Sequence, residues 1–365
     1  MSRLFGTDGI RDLAGKGALA SDQLVRLGWA LAGIVGAGKR VYIARDPRPS
    51  GTHILRALAN TLREKGIHVS CAYAEGLPTP GVAFVLRDSG EYEMGIVISA
   101  SHNPPEYNGI KLFDRDGLKL TEAREREIEE GMERSPPPDG PLGDPLHADT
   151  LRHREAYLLH LQRQLEPGSI SGWKVAVDSA FGATAGMFQA CLKYWGAVPV
   201  VMADTEDGAK INFRCGATSP QALQSLVKAE KARLGVAFDG DGDRCVFVDE
   251  YGSVLDGDAV LYFLAKDLKE RGLWNPAVVV ATEISNLGLD RAVARLGGRV
   301  LRVPVGDRQV VVEMRETGAP LGGEPSGHLI LPGSNFIGDG QLAAARVLGV
   351  MARTGKPISE LVKGY

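Results

Sequence analysis

The sequence predicts an α/β protein of three successive α/β domains with mixed sheets around a central cleft. Three observations carry that expectation. At 365 residues the chain exceeds one typical core, since domains run about 100–200 residues. Helix-like and strand-like patterns alternate along it, the signature of βαβ units. The alternation recurs in units of similar size, expected at residues 1–150, 151–252 and 253–365.

In the first unit, apolar residues at helical spacing predict a helix over Ser21–Val35. A strand at Arg40–Ala44, a helix over Gly51–Lys65 and a strand near His68–Tyr73 follow. Met94–Ile98 reads as a buried strand because it is apolar and partly β-branched. The next residues cannot extend it: Pro104 and Pro105 remove backbone donors, and Asn108-Gly109 is a turn signal. The stretch "MERSPPPDGPLGDPLHADT" (132–150) is dense in proline, glycine and aspartate and marks the expected boundary. The second unit then predicts a helix to about Leu165, a strand in "WKVAVD", a helix after "SAFGAT" and a strand at Ala197–Met202. It closes on two short strands around the acidic loop of "LGVAFDGDGDRCVFVDEYG". The third predicts a helix from Asp256, the strand "PAVVVAT", a helix from Asn286 and a strand at Arg299–Val303.

Composition excludes several classes of function. With 44% apolar and 24% charged residues the chain is an ordinary globular one. A net charge of −3 provides no basic field, so nucleic acid is not an expected partner. No apolar run reaches the ~18 residues that span a bilayer, and "MSRLFGTDGIRD" lacks a signal-peptide core, so no membrane partner is expected. Cys71, Cys191, Cys215 and Cys245 are widely spaced and form no CxxC, which fits free thiols in the cytoplasm.

Two loops are candidates to carry chemistry. "SASHNP" (99–104) follows a buried strand, where α/β proteins place functional groups; an ordinary surface turn is the competing reading, and residue types alone do not choose between Ser99 and Ser101. "FDGDGDR" sets Asp239, Asp241 and Asp243 at alternate positions between glycines. Carboxylates this close repel unless a cation sits among them, and hard oxygen ligands select Mg²⁺ or Ca²⁺. A Ca²⁺-binding EF-hand fails: Arg244 occupies the position that needs glycine, and the flanks are strands. A solvated acidic hairpin is the remaining rival. "GIVGAGKR" (33–40) imitates a nucleotide phosphate loop, but a helix precedes it, a strand follows, and Arg40 replaces the metal-binding hydroxyl.

"FGTDGIR" (5–11), "ISASHNP" (98–104), "NGIK" (108–111), "DGDGDR" (239–244), "VGDR" (305–308) and "GGEPSGH" (322–328) occur in an order and at separations that resemble the α-D-phosphohexomutases, over essentially the whole chain. "FGTDGIR", "SNLGL" and "VGDR" are most similar to the bacterial aminosugar branch. The resemblance implies an isomerase that moves a phosphoryl group between O6 and O1 of glucosamine through a bisphosphorylated sugar. It implies Ser101 as the phosphoserine, and Asp239, Asp241 and Asp243 with a phosphoserine oxygen as Mg²⁺ ligands. Arg11, His102, Lys111 and Arg244 match residues around the reacting phosphate, with Lys111 as general acid/base if its pKa is lowered. Glu324, Ser326 and His328 match the sugar-recognition loop, with Gly306, Asp307 and Arg308 beside the sugar.

The implied cofactors are one Mg²⁺ per chain and glucosamine 1,6-bisphosphate or a similar activator; the implied partners are a small-molecule phosphosugar and a second copy in a homodimer. Pro325 stands where the aminosugar branch usually has a polar residue, which keeps glucose and mannose phosphates as alternative substrates. The family usually continues into a fourth, phosphate-binding domain, expected to be absent because the sequence ends at "ISELVKGY". "RPSGTHILR" (48–56) is similar to that domain's clamp but reads as a strand-to-helix turn of the first unit. A phosphosugar phosphatase and a non-catalytic sugar-phosphate-binding protein are the rivals of other classes.

Overall fold

The computed structural model describes residues 4–72, 76–134, 150–331 and 336–365. Tyr73, and most of the expected boundary at 132–150, lie outside the described residues. Among the described residues the strands form three mixed sheets.

The first sheet holds β1 (Ile10–Leu13), β2 (Arg40–Arg45), β3 (His68–Cys71), β4 (Met94–Ile98) and β5 (Tyr107–Asp114) in the order β1-β5-β4-β2-β3. Its helices are α1 (Ser21–Val35), α2 (Gly51–Glu64), α3 (Thr79–Ser89) and α4 (Glu122–Arg134). α1 is helical because Leu24, Leu27, Leu31 and Val35 recur at helical spacing and bury one face. α3 crosses the sheet closely where Gly95 leaves room: a Cβ there would lie 2.6 Å from Leu86 Cδ1.

The second unit holds α5 (Thr150–Gln162), β6 (Lys174–Asp178), α6 (Met187–Tyr194), β7 (Val198–Met202), α7 (Gln221–Glu230), β8 (Leu234–Phe238), β9 (Cys245–Val248) and β10 (Val254–Leu255), with sheet order β10-β9-β8-β6-β7. The third holds α8 (Gly257–Glu270), β11 (Val278–Thr282), α9 (Leu287–Arg295), β12 (Arg299–Val303), α10 (Asp307–Thr317), β13 (Leu321–Gly323), β14 (Leu329–Ile330), α11 (Gly340–Thr354) and α12 (Ile358–Leu361), with sheet order β12-β11-β13-β14. The largest apolar core runs through all three units, with α11 supplying Leu342, Val347, Leu348 and Met351. The four cysteines are free and buried.

The three sheets share one plan. Each has parallel strands and then reverses into an antiparallel hairpin: β4 to β5, β8 to β9, and β13 to β14. The loops at those reversals are 99–106, 239–244 and 324–328, so each unit offers one polar loop at an equivalent place.

One expectation is corrected. Asn108-Gly109 is not a turn but lies inside β5, with Asp12 opposite Asn108 and Arg11 opposite Gly109. Glycine is required there for space: a Cβ on Gly109 would sit 2.6 Å from the Ser99 carbonyl oxygen and 2.7 Å from that of Ile10. The chain reverses earlier, where Asn103 N donates to Ala100 O and Tyr107 N to Pro104 O.

Candidate active site

The β4–β5 loop presents Ser101 in a left-handed conformation, φ +53°, which costs a non-glycine residue energy and needs support from its surroundings. That support is a buried relay. Asp46 Oδ2 accepts from Arg48 Nε at 2.9 Å and from Ser99 Oγ at 2.6 Å, and Ser99 Oγ accepts from the Ser101 backbone N at 2.8 Å. The Arg48 guanidinium, fully buried, also donates to the carbonyls of Ser101 (2.9 Å), Asn103 (2.7 Å), Tyr107 (3.0 Å) and Pro104. From the second unit, Asn212 Nδ2 donates to the Ser101 carbonyl at 2.8 Å. Ser99 is thus spent on holding the loop, whereas Ser101 Oγ faces the acidic loop and donates to Asp239 Oδ2 at 2.6 Å.

Asp239, Asp241 and Asp243 are buried, and one oxygen from each lies within 4.8 Å of the others. Asp241 Oδ1 and Asp243 Oδ1 are buried without a hydrogen-bond partner. Three converging carboxylates with open lone pairs are a donor set for a hard divalent cation. The groups fit a metal, and Ser101 Oγ stands at the edge of the same cluster. Burial, with the charges of Asp243 and Asp241, pushes the Asp239 pKa well above the usual carboxylate range. Burial alone would raise Asp243 too, but attraction to Lys111 wins and holds its carboxyl low.

Lys111, on β5, is buried with Nζ 2.8 Å from Asp241 Oδ2, 2.7 Å from Asp243 Oδ2 and 3.2 Å from Asp8 Oδ2. The expected lowering of its pKa is not found. Burial acts in that direction, but attraction to Asp241, Asp243 and Asp8 outweighs it and raises the pKa. Lys111 therefore stands as an ammonium that donates hydrogen bonds to these carboxylates. His102 Nδ1 lies 3.3 Å from Ser101 Oγ; burial, then the positive charges of Arg244 and Arg11, lower its pKa to about 4, so the imidazole is neutral near pH 7. Burial opposes the charge on Arg244, yet Asp243 and Asp239 hold it more firmly protonated. Arg11 joins Asp8 on the same rim.

The third unit closes the site. His328 is buried between Asp243 Oδ1 (3.8 Å) and Asp307 Oδ2 (3.4 Å). Glu324 is buried and adds an acidic charge facing Arg244. Ser326 is exposed, its hydroxyl 3.5 Å from Glu324 Oε2. Gly306 precedes α10 with φ +133°. Arg308 turns to α4 and pairs with Glu125 in two hydrogen bonds, one of them 3.1 Å from Nη1 to Oε2. The structure thus gathers Ser101, His102, Lys111, Arg244, the triad, Glu324 and His328, while Arg308 is committed to a contact between units.

Sequence reasoning missed Asp8, Asp46, Arg48, Lys119 and Asn212. Asp8 lay in the quoted motif "FGTDGIR" and Arg48 opens "RPSGTHILR", which reads as a turn; Asp46, Lys119 and Asn212 are single polar residues with no local pattern to mark them.

A serine hydroxyl held against a metal-type carboxylate triad, ringed by fixed cations, is the equipment of phosphoryl transfer. Models of the phosphoglucomutase/phosphomannomutase α/β/α domains I, II and III match residues 2–138, 155–252 and 256–365. A phosphoglucosamine mutase of Anaeromyxobacter dehalogenans is 41% identical over 379 residues, covering 100% of this chain and 82% of the relative. One from Moorella thermoacetica is 42% identical, over 99% of this chain and 82% of the relative. Among solved structures, a phosphoglucomutase/phosphomannomutase family protein from Burkholderia thailandensis superposes with a TM-score of 0.83 at 29% identity, covering 98% of this chain and 79% of that one. The chain belongs to the phosphoglucomutase/phosphomannomutase family of isomerases.

Proposed function

We propose that this protein is a cytoplasmic enzyme that interconverts glucosamine 6-phosphate and glucosamine 1-phosphate through a phosphoserine at Ser101 and a bisphosphorylated sugar. The observation that carries the reading is the 2.6 Å approach of Ser101 Oγ to Asp239 Oδ2, inside a carboxylate triad. The choice of aminosugar rests on relatives named phosphoglucosamine mutase that are about two-fifths identical over the full chain.

In this reading the phosphorylated Ser101 gives its phosphoryl group to a free hydroxyl of the bound hexose phosphate. The Oγ–P bond breaks, a sugar O–P bond forms, and the hydroxyl proton ends on the freed Ser101 Oγ, with neutral His102, 3.3 Å from that oxygen, as its carrier. The bisphosphorylated sugar then presents its other phosphate; that sugar O–P bond breaks as the Ser101 Oγ–P bond re-forms, and the serine proton passes to the freed sugar oxygen. Asp239, Asp241 and Asp243 would hold Mg²⁺, which when bound offsets the charge that spreads over the transferring oxygens. Lys111 and Arg244 donate to those oxygens as fixed cations. His102, neutral, offers an acceptor or donor nitrogen beside Ser101. Glu324, Ser326 and His328 orient the sugar hydroxyls and amine.

The test is turnover with glucosamine, glucose and mannose phosphates, a hexose 1,6-bisphosphate being supplied as activator. The highest kcat/KM is expected for glucosamine phosphate, with phosphate on Ser101 by peptide mass. No interconversion of any substrate, or phosphate mapped to another residue, overturns the reading.

A further inference from the structure

Lys119 lies in the segment between β5 and α4, and its side chain is 12% exposed. Its ammonium donates to Asp8 Oδ1 of the first unit and to Asp307 Oδ2 of the third. Asp307 Oδ2 in turn lies 3.4 Å from His328 Nε2, and His328 Nδ1 lies 3.8 Å from Asp243 Oδ1. Asp243 reaches back through Lys111 to Asp8. The contacts close a ring, Lys119–Asp307–His328–Asp243–Lys111–Asp8, in which every unit contributes a member. The four links made by Lys119 and Lys111 are ion pairs, whereas His328 packs between Asp307 and Asp243 without a hydrogen bond from Nε2. A buried ion pair is weak evidence for stability, because desolvation cancels much of its attraction, and its better-attested use is to fix one geometry.

We propose that Lys119 is a positioning residue for the sugar end of the site. It pins Asp307, the carboxylate against which His328 packs at 3.4 Å, and so sets the sugar end at a fixed spacing from the metal-binding carboxylates. It thereby couples sugar recognition to the phosphoryl-transfer corner across the boundary between the first and third units. The inference rests on the proposed function for its ligand. The same lysine forms one wall of a cavity of about 330 Å³ between those units, beside Phe113, Leu120, Val311 and Ile337. Attraction to Asp307 and Asp8 outweighs burial there and raises its pKa, so the link is charged at neutral pH.

The test compares Lys119→Met, Lys119→Arg, Asp307→Asn and the Lys119→Met/Asp307→Asn double variant with the unmodified chain. Glucosamine 6-phosphate binding is measured by calorimetry, Mg²⁺ binding by titration, and Ser101 phosphorylation by intact mass after treatment with glucose 1,6-bisphosphate. Lys119→Met is expected to weaken sugar-phosphate binding tenfold or more and to raise KM more than it lowers kcat. Mg²⁺ affinity and Ser101 phosphorylation should stay within about twofold, and Lys119→Arg should recover part of the loss. The double variant should bind no worse than the weaker single one, because both substitutions break one link.

Sugar binding within twofold of the unmodified chain, additive losses, or a parallel loss of Mg²⁺ affinity overturns the proposal. If Lys119→Met does not fold, the near-isosteric Asp307→Asn decides: unchanged sugar binding overturns it. An unmodified chain that binds another hexose phosphate in preference overturns the glucosamine reading instead, and the variants are then judged with that sugar.

Discussion

Ser101 Oγ and Asp239 Oδ2 stand 2.6 Å apart, although 138 residues separate them in the sequence. The two loops meet backbone to backbone as well. A Cβ on Gly240 would lie 2.6 Å from the Ser101 carbonyl oxygen, so glycine at that position permits the approach. Asn212 pins the same carbonyl from the side of the second unit. The serine is therefore set by two units at once, and its relation to the triad depends on their packing.

Ser101→Ala should abolish phosphate incorporation seen by intact mass, whereas Ser99→Ala should retain it. Ser99 Oγ joins Asp46 to the Ser101 amide, and removing it takes the hydrogen-bond partner from the buried Ser101 amide. A stability loss of about 1–3 kcal/mol is expected in denaturant titration of Ser99→Ala. Phosphate that survives Ser101→Ala would contradict the assignment.

Asn substitution at Asp239, Asp241 or Asp243 should weaken Mg²⁺ binding with little change of fold, since the loop contributes charge more than packing. Mg²⁺ at a hundredfold excess over its Kd should stabilise the unmodified chain by about 2.7 kcal/mol. Affinity should fall as pH is lowered, because Asp239 keeps its proton to unusually high pH and the ion must displace it. Calorimetry across a pH series reads this directly. Affinity independent of pH would remove Asp239 from the ligand set.

The helix Ser21–Val35 and the strand Arg299–Val303 end where the sequence pattern places them, because apolar spacing and flanking glycines mark both boundaries. The triad was legible for a similar reason: Asp and Gly alternate in a way that a plain strand would not tolerate. Ser99 and Ser101 were not separable, since the difference is which neighbour each faces, Asp46 or Asp239, and both neighbours are remote in sequence. Asn108-Gly109 misled because glycine can serve close approach as well as turning. Lys111 was recognised, but its charge state depends on Asp8, Asp241 and Asp243 arriving from elsewhere. Arg48 opens a stretch that reads as a plain turn, and Lys119 looks like an ordinary surface cation, until the fold buries both.

Acid stability should report Asp339, the N-cap of α11. It is buried, accepts from Leu342 N at 2.9 Å and Tyr157 Oη at 2.9 Å, and burial raises its pKa to about 6. The folded chain therefore holds a proton that the unfolded chain has lost between about pH 4 and 6, so stability falls as pH rises through that window. Two pKa units correspond to about 3 kcal/mol. Asp339→Asn keeps the cap and removes the titration. Its denaturation midpoint should depend less steeply on pH in that window than the unmodified chain's. An unchanged slope would assign the proton elsewhere.

Arg48 gives the most demanding prediction. Its side chain is fully buried, pairs with Asp46, and donates to three carbonyls of the loop that carries Ser101 and to that of Tyr107 at the start of β5. Lysine keeps the charge but has three donors on one nitrogen and cannot reproduce the planar fork. Arg48→Lys should therefore lose several of the bonds that tie the loop, and Arg48→Met should in addition remove the cation paired with the buried Asp46 carboxylate. A loss of about 3–5 kcal/mol is expected for the methionine variant, the range seen when one partner of a buried pair is removed. Because the strained backbone at Ser101 is held by these bonds, phosphorylation of Ser101 should slow even in the lysine variant while it remains folded. Circular dichroism establishes folding, and the rate of phosphate incorporation from glucose 1,6-bisphosphate establishes the effect on the loop. A lysine variant that is phosphorylated at the unmodified rate would mean that Asn212 and the Ser99 relay suffice to hold the serine.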